Sequence, residues 1–193
     1  MNAIHGYDYG NTATRSPLSL EDLQPLKDAV LFSEEDIRYL RMAGEVLADQ
    51  VEAVVNRHVE FVAANPARLA YFSDEQGNLE EAYVGAVTKR FGQWVLDLCN
   101  RDFDQDWLHY QHEIGLRHTS DRKNRTDGAR AVPHIPLRYL VAFLYDTTEM
   151  MREFFANKGH DRQDQDGMYR AWFKANVLSV ALWSMPYARE GMG

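Results

Sequence analysis

The chain has 193 residues, 45% of them hydrophobic and 12% aromatic, which suits one domain with a substantial core. A formal net charge of -8 at pH 7 argues against a generic binder of nucleic acid or anionic membrane, which carries excess basic charge. The one cysteine, Cys99, excludes an intramolecular disulfide and fits a reducing compartment. No stretch nears the roughly 20 apolar residues of a membrane helix. No basic-then-apolar leader opens the sequence, so the cytoplasm is the expected location.

In chain order, residues 1–19 read as an irregular arm, because Gly6, Gly10 and Pro17 break helix; Tyr7 and Tyr9 imply that it is packed down. Ser19 with Glu21 and Asp22 opens a short helix to about Leu31. Ser33-Glu34-Glu35-Asp36 opens the next, with acids where the macrodipole favours them. One apolar stripe, Ile37, Leu40, Gly44, Leu47, Val51, Val54, His58 and Phe61, then predicts a single long helix ending at Asn65-Pro66. A short segment from Leu69 to Phe72 and a turn at Asp74–Asn78 lead to a helix from about Leu79 to Leu98. Another helix runs from Asp102 to His118.

The polar stretch from Thr119 to about Val132 reads as a solvated loop, locally basic from Arg117 to Arg130. Pro133 and Pro136 start an apolar helix to about Asn157, stopped by Gly159. An acidic stretch, 161–166, precedes a last helix from Gly167 to about Met185, closed by Pro186. Nothing alternates with period two, so the class is all-α with about eight helices in one domain, 1–193. The arm is 1–19 and the helical core 20–193.

Few residues offer chemistry. His118 ends its helix behind apolar Ile114 and Leu116. It can serve the C-terminal dipole or present a neutral imidazole to a metal or cofactor. His109 and His112 share a helix spacing but lack a readable third ligand for zinc. His58 lies on the apolar stripe, where an unsatisfied polar group costs about 1–3 kcal/mol. His134, between two prolines, reads as a structural hydrogen-bonding group. No nucleophile elbow, P-loop or dinucleotide fingerprint occurs.

The run Tyr110-Gln111-x-Glu113-Ile114-Gly115-Leu116-Arg117-His118 resembles the proximal helix of the protoglobins, single-domain haem proteins related to globin-coupled sensors. Gly6-Tyr7-Asp8-Tyr9-Gly10, Lys89-Arg90-Phe91, Val132 to Phe143, Ala171-Trp172-Phe173-Lys174 and Ala181-Leu182-Trp183-Ser184-x-Pro186-Tyr187 resemble the same family in the same order. The resemblance implies an expanded globin fold, a three-over-three helical sandwich with an added N-terminal arm and helix. It implies haem b (iron protoporphyrin IX) bound through His118, pentacoordinate iron, and reversible binding of O2, CO or NO by a gas carrier or sensor. The alternative is a haem enzyme acting on NO, nitrite, peroxide or peroxynitrite.

By the same resemblance His58, Val59, Val84, Val87, Arg90, Phe91 and Phe143 join His118 as cofactor-binding positions. His58 and Val59 stand where the family usually carries tryptophan and tyrosine, so a distal hydroxyl is missing. Arg90 is a candidate partner for a haem propionate. A homodimer through the two C-terminal helices is expected, because Leu137, Leu140, Leu144, Trp172, Phe173, Val177, Leu178, Val180 and Trp183 exceed what one core needs.

Overall fold

In the computed structural model, residues 3–189 are described. They form helices and turns, with one isolated antiparallel bridge between Ser73 and Leu79. Residues 1–2 and 190–193 of the expected 1–193 domain lie outside the described residues.

The arm is irregular: Gly6 and Gly10 take φ of 71° and 75°, left-handed values that cost glycine no Cβ strain. Helix α1, Leu20–Ala29, begins where Asp22 accepts from the Ser19 backbone N–H and hydroxyl. Asp36 does the same for Ser33 at α2, Glu34–Leu47.

The long helix expected from Ser33 to Asn65 is instead two. Helix α3, Val51–Ala63, starts after a jog at residues 48–50. Gln50 causes it. Its side-chain amide donates to Val46 O at 2.8 Å, the carbonyl its own backbone N–H would reach in a continuous helix. That N–H turns instead to Leu47 O at 2.9 Å. The apolar stripe steps from Leu47 to Val51 across the jog, so periodicity does not report it.

Asn65 caps α4, Pro66–Leu69, which runs into a 3-10 turn at Ala70–Phe72. Helix α5 is Glu81–Asn100, and α6 is Gln105–Leu116, capped by Asp104 accepting from Trp107 N at 2.9 Å. The expected helix up to Asn157 comes as α7, Leu137–Glu149, and α8, Met151–Ala156. At the junction Met150 N–H still donates to Asp146 O at 3.2 Å, so the interruption is slight. Helix α9, Arg162–Trp183, begins before Gly167, because Asp161 caps it and the acidic stretch is its first turn. Pro186 does not close the chain's helices. It sits inside a further short one, α10, Met185–Arg189.

Helix α9 packs against α2, α6, α7 and α8, and α5 packs against α2 and α3. Trp94, Trp172 and Trp183 form the centre: Trp94 meets the other two rings at centroid distances of 6.0 and 5.6 Å. Trp172 Nε1–H donates to Thr147 O and Trp183 Nε1–H to Gln111 Oε1, both at 2.8 Å. This single core absorbs most of the apolar residues expected to be surplus, since Leu140, Trp172, Leu178, Val180 and Trp183 are buried. Phe173 stays exposed, joined by Val141 and Tyr145 one turn apart on α7.

Two glycines separate helix propensity from packing. A Cβ on Gly44 in α2 would meet the Asn100 amide at 2.5 Å, but Asn100 is exposed and can swing away. A Cβ on Gly167 in α9 would run into the ring of buried Tyr39. Gly44→Ala is expected to be neutral or to stabilise by up to ~1 kcal/mol. Gly167→Ala is expected to destabilise by ~1–3 kcal/mol despite the same propensity gain. Urea unfolding of the two variants checks the difference in sign.

Candidate functional site

One cavity is walled by the arm, α3, the Ala70–Phe72 turn, α5, α6, the turns after it, α7 and the end of α9. Of the eight positions expected to bind a cofactor, it brings together six: His58, Val87, Arg90, Phe91, His118 and Phe143. Val59 and Val84 are not among its walls. Val59 follows His58 and so points about 100° away around α3.

His118 sits in the turn two residues beyond α6, not in its last helical turn. Its N–H reaches Gly115 O at 3.1 Å. Its Nδ1–H donates to Ile114 O at 2.8 Å, one turn back. The ring stacks on Trp183 at 5.6 Å and 20°. Its own carbonyl accepts from Ile135 N–H at 2.9 Å and from the Tyr187 hydroxyl at 3.4 Å. Gly115 lets α6 come this close, because a Cβ there would stand 3.0 Å from the Trp183 backbone. Burial pushes the His118 pKa down to about 4 against the pull of the Ile114 carbonyl, with the Lys123 and Arg117 charges adding to the fall. The imidazole is therefore neutral at pH 7, and Nε2 keeps its lone pair with no hydrogen-bond partner among the described residues. That is the state of a metal-ligating histidine oriented through its other nitrogen.

Across the cavity's α3 and α5 side, His58 stacks on Phe91 at 4.3 Å and meets the edge of Phe143 at 5.6 Å. Its Nδ1 is buried with no hydrogen-bond partner, and so is Trp94 Nε1. Both residues line the cavity. A buried polar atom left unpaired costs about 1–3 kcal/mol, which a ligand can relieve. Burial, helped by the Arg68 charge, pushes the His58 pKa down to about 4. His134, expected to hydrogen-bond, instead leaves its Nδ1 buried and unpartnered while its ring meets Tyr187.

The arm closes one end. Tyr7 and Tyr9 pack on Tyr110 at 4.9 and 5.5 Å, and the Tyr7 hydroxyl donates to Asp97 at 3.1 Å. Arg117 donates to Gly6 O and pairs with Asp8 at 3.2 Å, while Ser16 N–H donates to His109 Nδ1 at 3.0 Å. Burial would raise the Glu113 carboxyl. Hydrogen bonds from Thr14 and Arg117, with the charges of Arg117 and Arg122, hold it below its ordinary value.

The segment after α6 is not a solvated loop. Thr119 is fully buried and Lys123 is 3% exposed. Lys123 Nζ donates to Tyr71 O at 2.8 Å and lies 4.9 Å from the Tyr83 ring, and burial pushes its pKa down to about 8. Sequence reasoning missed Lys123, because it stands in an unbroken polar run with no apolar period to mark an inward face. It also missed Tyr7, Trp94, Tyr110 and Trp183 as walls, although all but Trp94 lie in the motifs quoted for the resemblance.

Apolar and aromatic walls, one imidazole bare at Nε2, two orphaned polar atoms and cations at the edge fit a flat metallated macrocycle that carries carboxylates. Among the described residues no three His, Cys, Asp or Glu side chains group as a metal site. A metal held by His118 would thus bring its other ligands with it.

The family model described as Protoglobin matches residues 19–192. A search of curated protein sequences found no match. Among solved structures, the chain is similar to the globin domain of the Geobacter sulfurreducens globin-coupled sensor, at 14% identity and a TM-score of 0.66. The likeness covers 85% of this chain and 96% of that one, and it shows a globin fold.

The unpaired His58 nitrogen predicts a stability effect. His58→Phe keeps the stack on Phe91 and removes the orphaned atom, so the cofactor-free protein should gain about 1–2 kcal/mol at pH 7. The variant should also be less acid-sensitive. The folded pKa of His58, about 4, lies below its ordinary value. The folded state thus binds its proton less readily, and stability is lost as pH falls from the unfolded pKa through about 4. Urea unfolding at pH 7 and pH 4.5 checks both effects; a variant less stable at pH 7 would contradict the reading of His58.

Proposed function

The chain belongs to the protoglobin family, and from that premise we propose that it binds haem b in the cavity and takes up O2, CO or NO as a gas carrier or sensor. One observation carries the reading: His118 is neutral, held at Nδ1 by the Ile114 carbonyl, and bare at Nε2 on an aromatic cavity. His118 Nε2 is the proposed sole protein ligand to iron, leaving it pentacoordinate. Bound there, haem supplies the iron on which a diatomic gas coordinates. The Ile114 carbonyl fixes the tautomer and raises the basicity of the ligating nitrogen. Phe91, Phe143 and Val87 line the same cavity and would exclude water from a group bound there. The arm, tied down through Arg117, Tyr7 and Tyr9, closes the cavity end.

Val59 offers no hydroxyl and does not line the cavity, which leaves His58, with Trp94 Nε1–H as the other unpartnered donor there, to hydrogen-bond a bound gas. We assign His58 to the side of the gas site and not to the iron, because it stands where the family resemblance puts a tryptophan beside that site, a residue that does not ligate iron. A second reading, a haem enzyme acting on NO, nitrite, peroxide or peroxynitrite, is favoured by the same residue. A neutral imidazole with an unpartnered nitrogen can move a proton. The one cysteine, buried and free, supports placing the protein in the reducing cytoplasm.

Spectroscopy tests the assignment. The ferrous haem-loaded protein is expected to be high-spin and five-coordinate, and His118→Ala to lose that spectrum or its haem. Unchanged spectra in His118→Ala would contradict it. His58→Ala is expected to leave the ferrous spin state alone and to speed O2 release about 10-fold or more, CO release much less. A low-spin ferrous protein that His58→Ala converts to high-spin would place His58 on the iron instead.

We further propose that the protein pairs through α7 and α9. Val141 and Tyr145, 54% and 71% exposed on one face of α7, and Phe173, 44% exposed on α9, support this. Light scattering at micromolar concentration should give a dimer mass, and Tyr145→Glu should shift it towards monomer with the fold intact. A monomeric wild-type protein would contradict the pairing.

A further inference from the structure

We propose that Lys123 anchors a carboxylate of the bound macrocycle; this rests on the haem reading above. Four cationic side chains line the cavity: Arg68, Arg90, Arg117 and Lys123. Three are already matched. Arg68 pairs with Asp146. Arg90 gives both terminal nitrogens to Asp127, at 2.9 and 2.6 Å. Arg117 pairs with Glu113 at 2.8 Å and Asp8 at 3.2 Å. The sequence-level expectation that Arg90 meets a propionate therefore finds its guanidinium engaged elsewhere.

Lys123 differs. Among the described residues it has no carboxylate within 4.0 Å, yet it is only 3% exposed. Its neighbours are neutral: Tyr71 O at 2.8 Å, Asn124 Oδ1 at 3.4 Å and the Tyr83 ring at 4.9 Å. A cation taken out of water without a counter-charge is costly, and the cost remains when its partners are uncharged. An ammonium also has three protons to donate, and two of these partners are hydrogen-bond acceptors. One proton and one whole charge are left on the cavity wall. A ligand carboxylate supplies both the acceptor and the charge. The chemistry is shared by a porphyrin propionate and a free fatty acid. We commit to the propionate, because the Tyr83 ring lies beside Lys123 and the rings of Tyr71 and Phe72 line the same cavity, which suits a flat aromatic edge.

The test needs no gas chemistry. Wild-type, Lys123→Met, Lys123→Arg and His118→Ala proteins are titrated with ferric haem, metal-free protoporphyrin IX, its dimethyl ester and palmitate, followed by tryptophan fluorescence. Wild-type protein is expected to bind protoporphyrin IX about 10- to 100-fold more tightly than the ester, which lacks the charge. Lys123→Met should erase that preference and Lys123→Arg should keep most of it. His118→Ala should keep it too, while weakening only ferric haem. Equal affinity of wild-type protein for the acid and the ester overturns the anchor without the use of any variant. So does a preference that survives in Lys123→Met, or palmitate binding that depends on Lys123 while porphyrin binding does not. If porphyrin and ferric haem both fail to bind wild-type protein, the haem reading falls and the anchor with it.

Discussion

The hydrogen bond from His118 Nδ1–H to Ile114 O, 2.8 Å long, decides what the other end of the imidazole can do. It makes Nδ1 the protonated nitrogen, turns the ring against Trp183, and leaves Nε2 as a bare lone pair. Each neighbouring feature makes that bond possible. Helix α6 must end near residue 116 so that His118 can fold back over Ile114. Gly115 must lack a Cβ so that the end of α6 can touch the Trp183 backbone. Gln111 holds Trp183 through its indole N–H, and Ile135 and Tyr187 hold the His118 carbonyl. The imidazole is thus fixed by its ring, its nitrogen and its backbone together.

Burial sets the chemistry of the site as much as geometry does. The same loss of water that keeps His118 and His58 neutral also makes every unmatched polar atom expensive. The protein answers most of these costs with its own groups, as in the Arg90–Asp127 pair and the Glu113 cluster that ties the arm to α6. It leaves some unanswered at the cavity: His58 Nδ1, Trp94 Nε1 and the charge of Lys123. Unsatisfied groups scattered through a core would be a defect. His134 Nδ1 and Thr148 Oγ1, also buried and unpaired, lie outside the cavity walls, whereas His58 Nδ1, Trp94 Nε1 and Lys123 belong to residues that line it, where a ligand can reach them.

The fold was legible where periodicity and capping act locally. Ser19, Ser33 and Gly159 mark their helix boundaries as their chemistry requires, whereas α6 starts at the Asp104 cap and not at the expected Asp102. The misreadings have physical causes. A side-chain amide, Gln50, breaks a helix whose apolar stripe continues through the break. Lys123 is turned inward by tertiary packing that no local pattern encodes. The large residues of α7 and α9 looked surplus because a helix's exposed face cannot be told from composition; the core around Trp94 uses most of them and leaves Val141, Tyr145 and Phe173 outside. His118 was legible only through the resemblance, since a histidine at a helix end has an ordinary electrostatic use. Its role becomes a sharper claim once the Ile114 bond and the bare Nε2 are seen on a cavity wall.

That claim is that one protein nitrogen, His118 Nε2, holds the iron. The most direct measurement is the resonance Raman spectrum of the ferrous protein, read for the iron–histidine stretching band. The account predicts the band in wild-type protein, its loss in His118→Gly, and its return at a shifted frequency when free imidazole is added to that variant. A band that persists in His118→Gly without imidazole would show that another histidine ligates the iron, and would contradict the account.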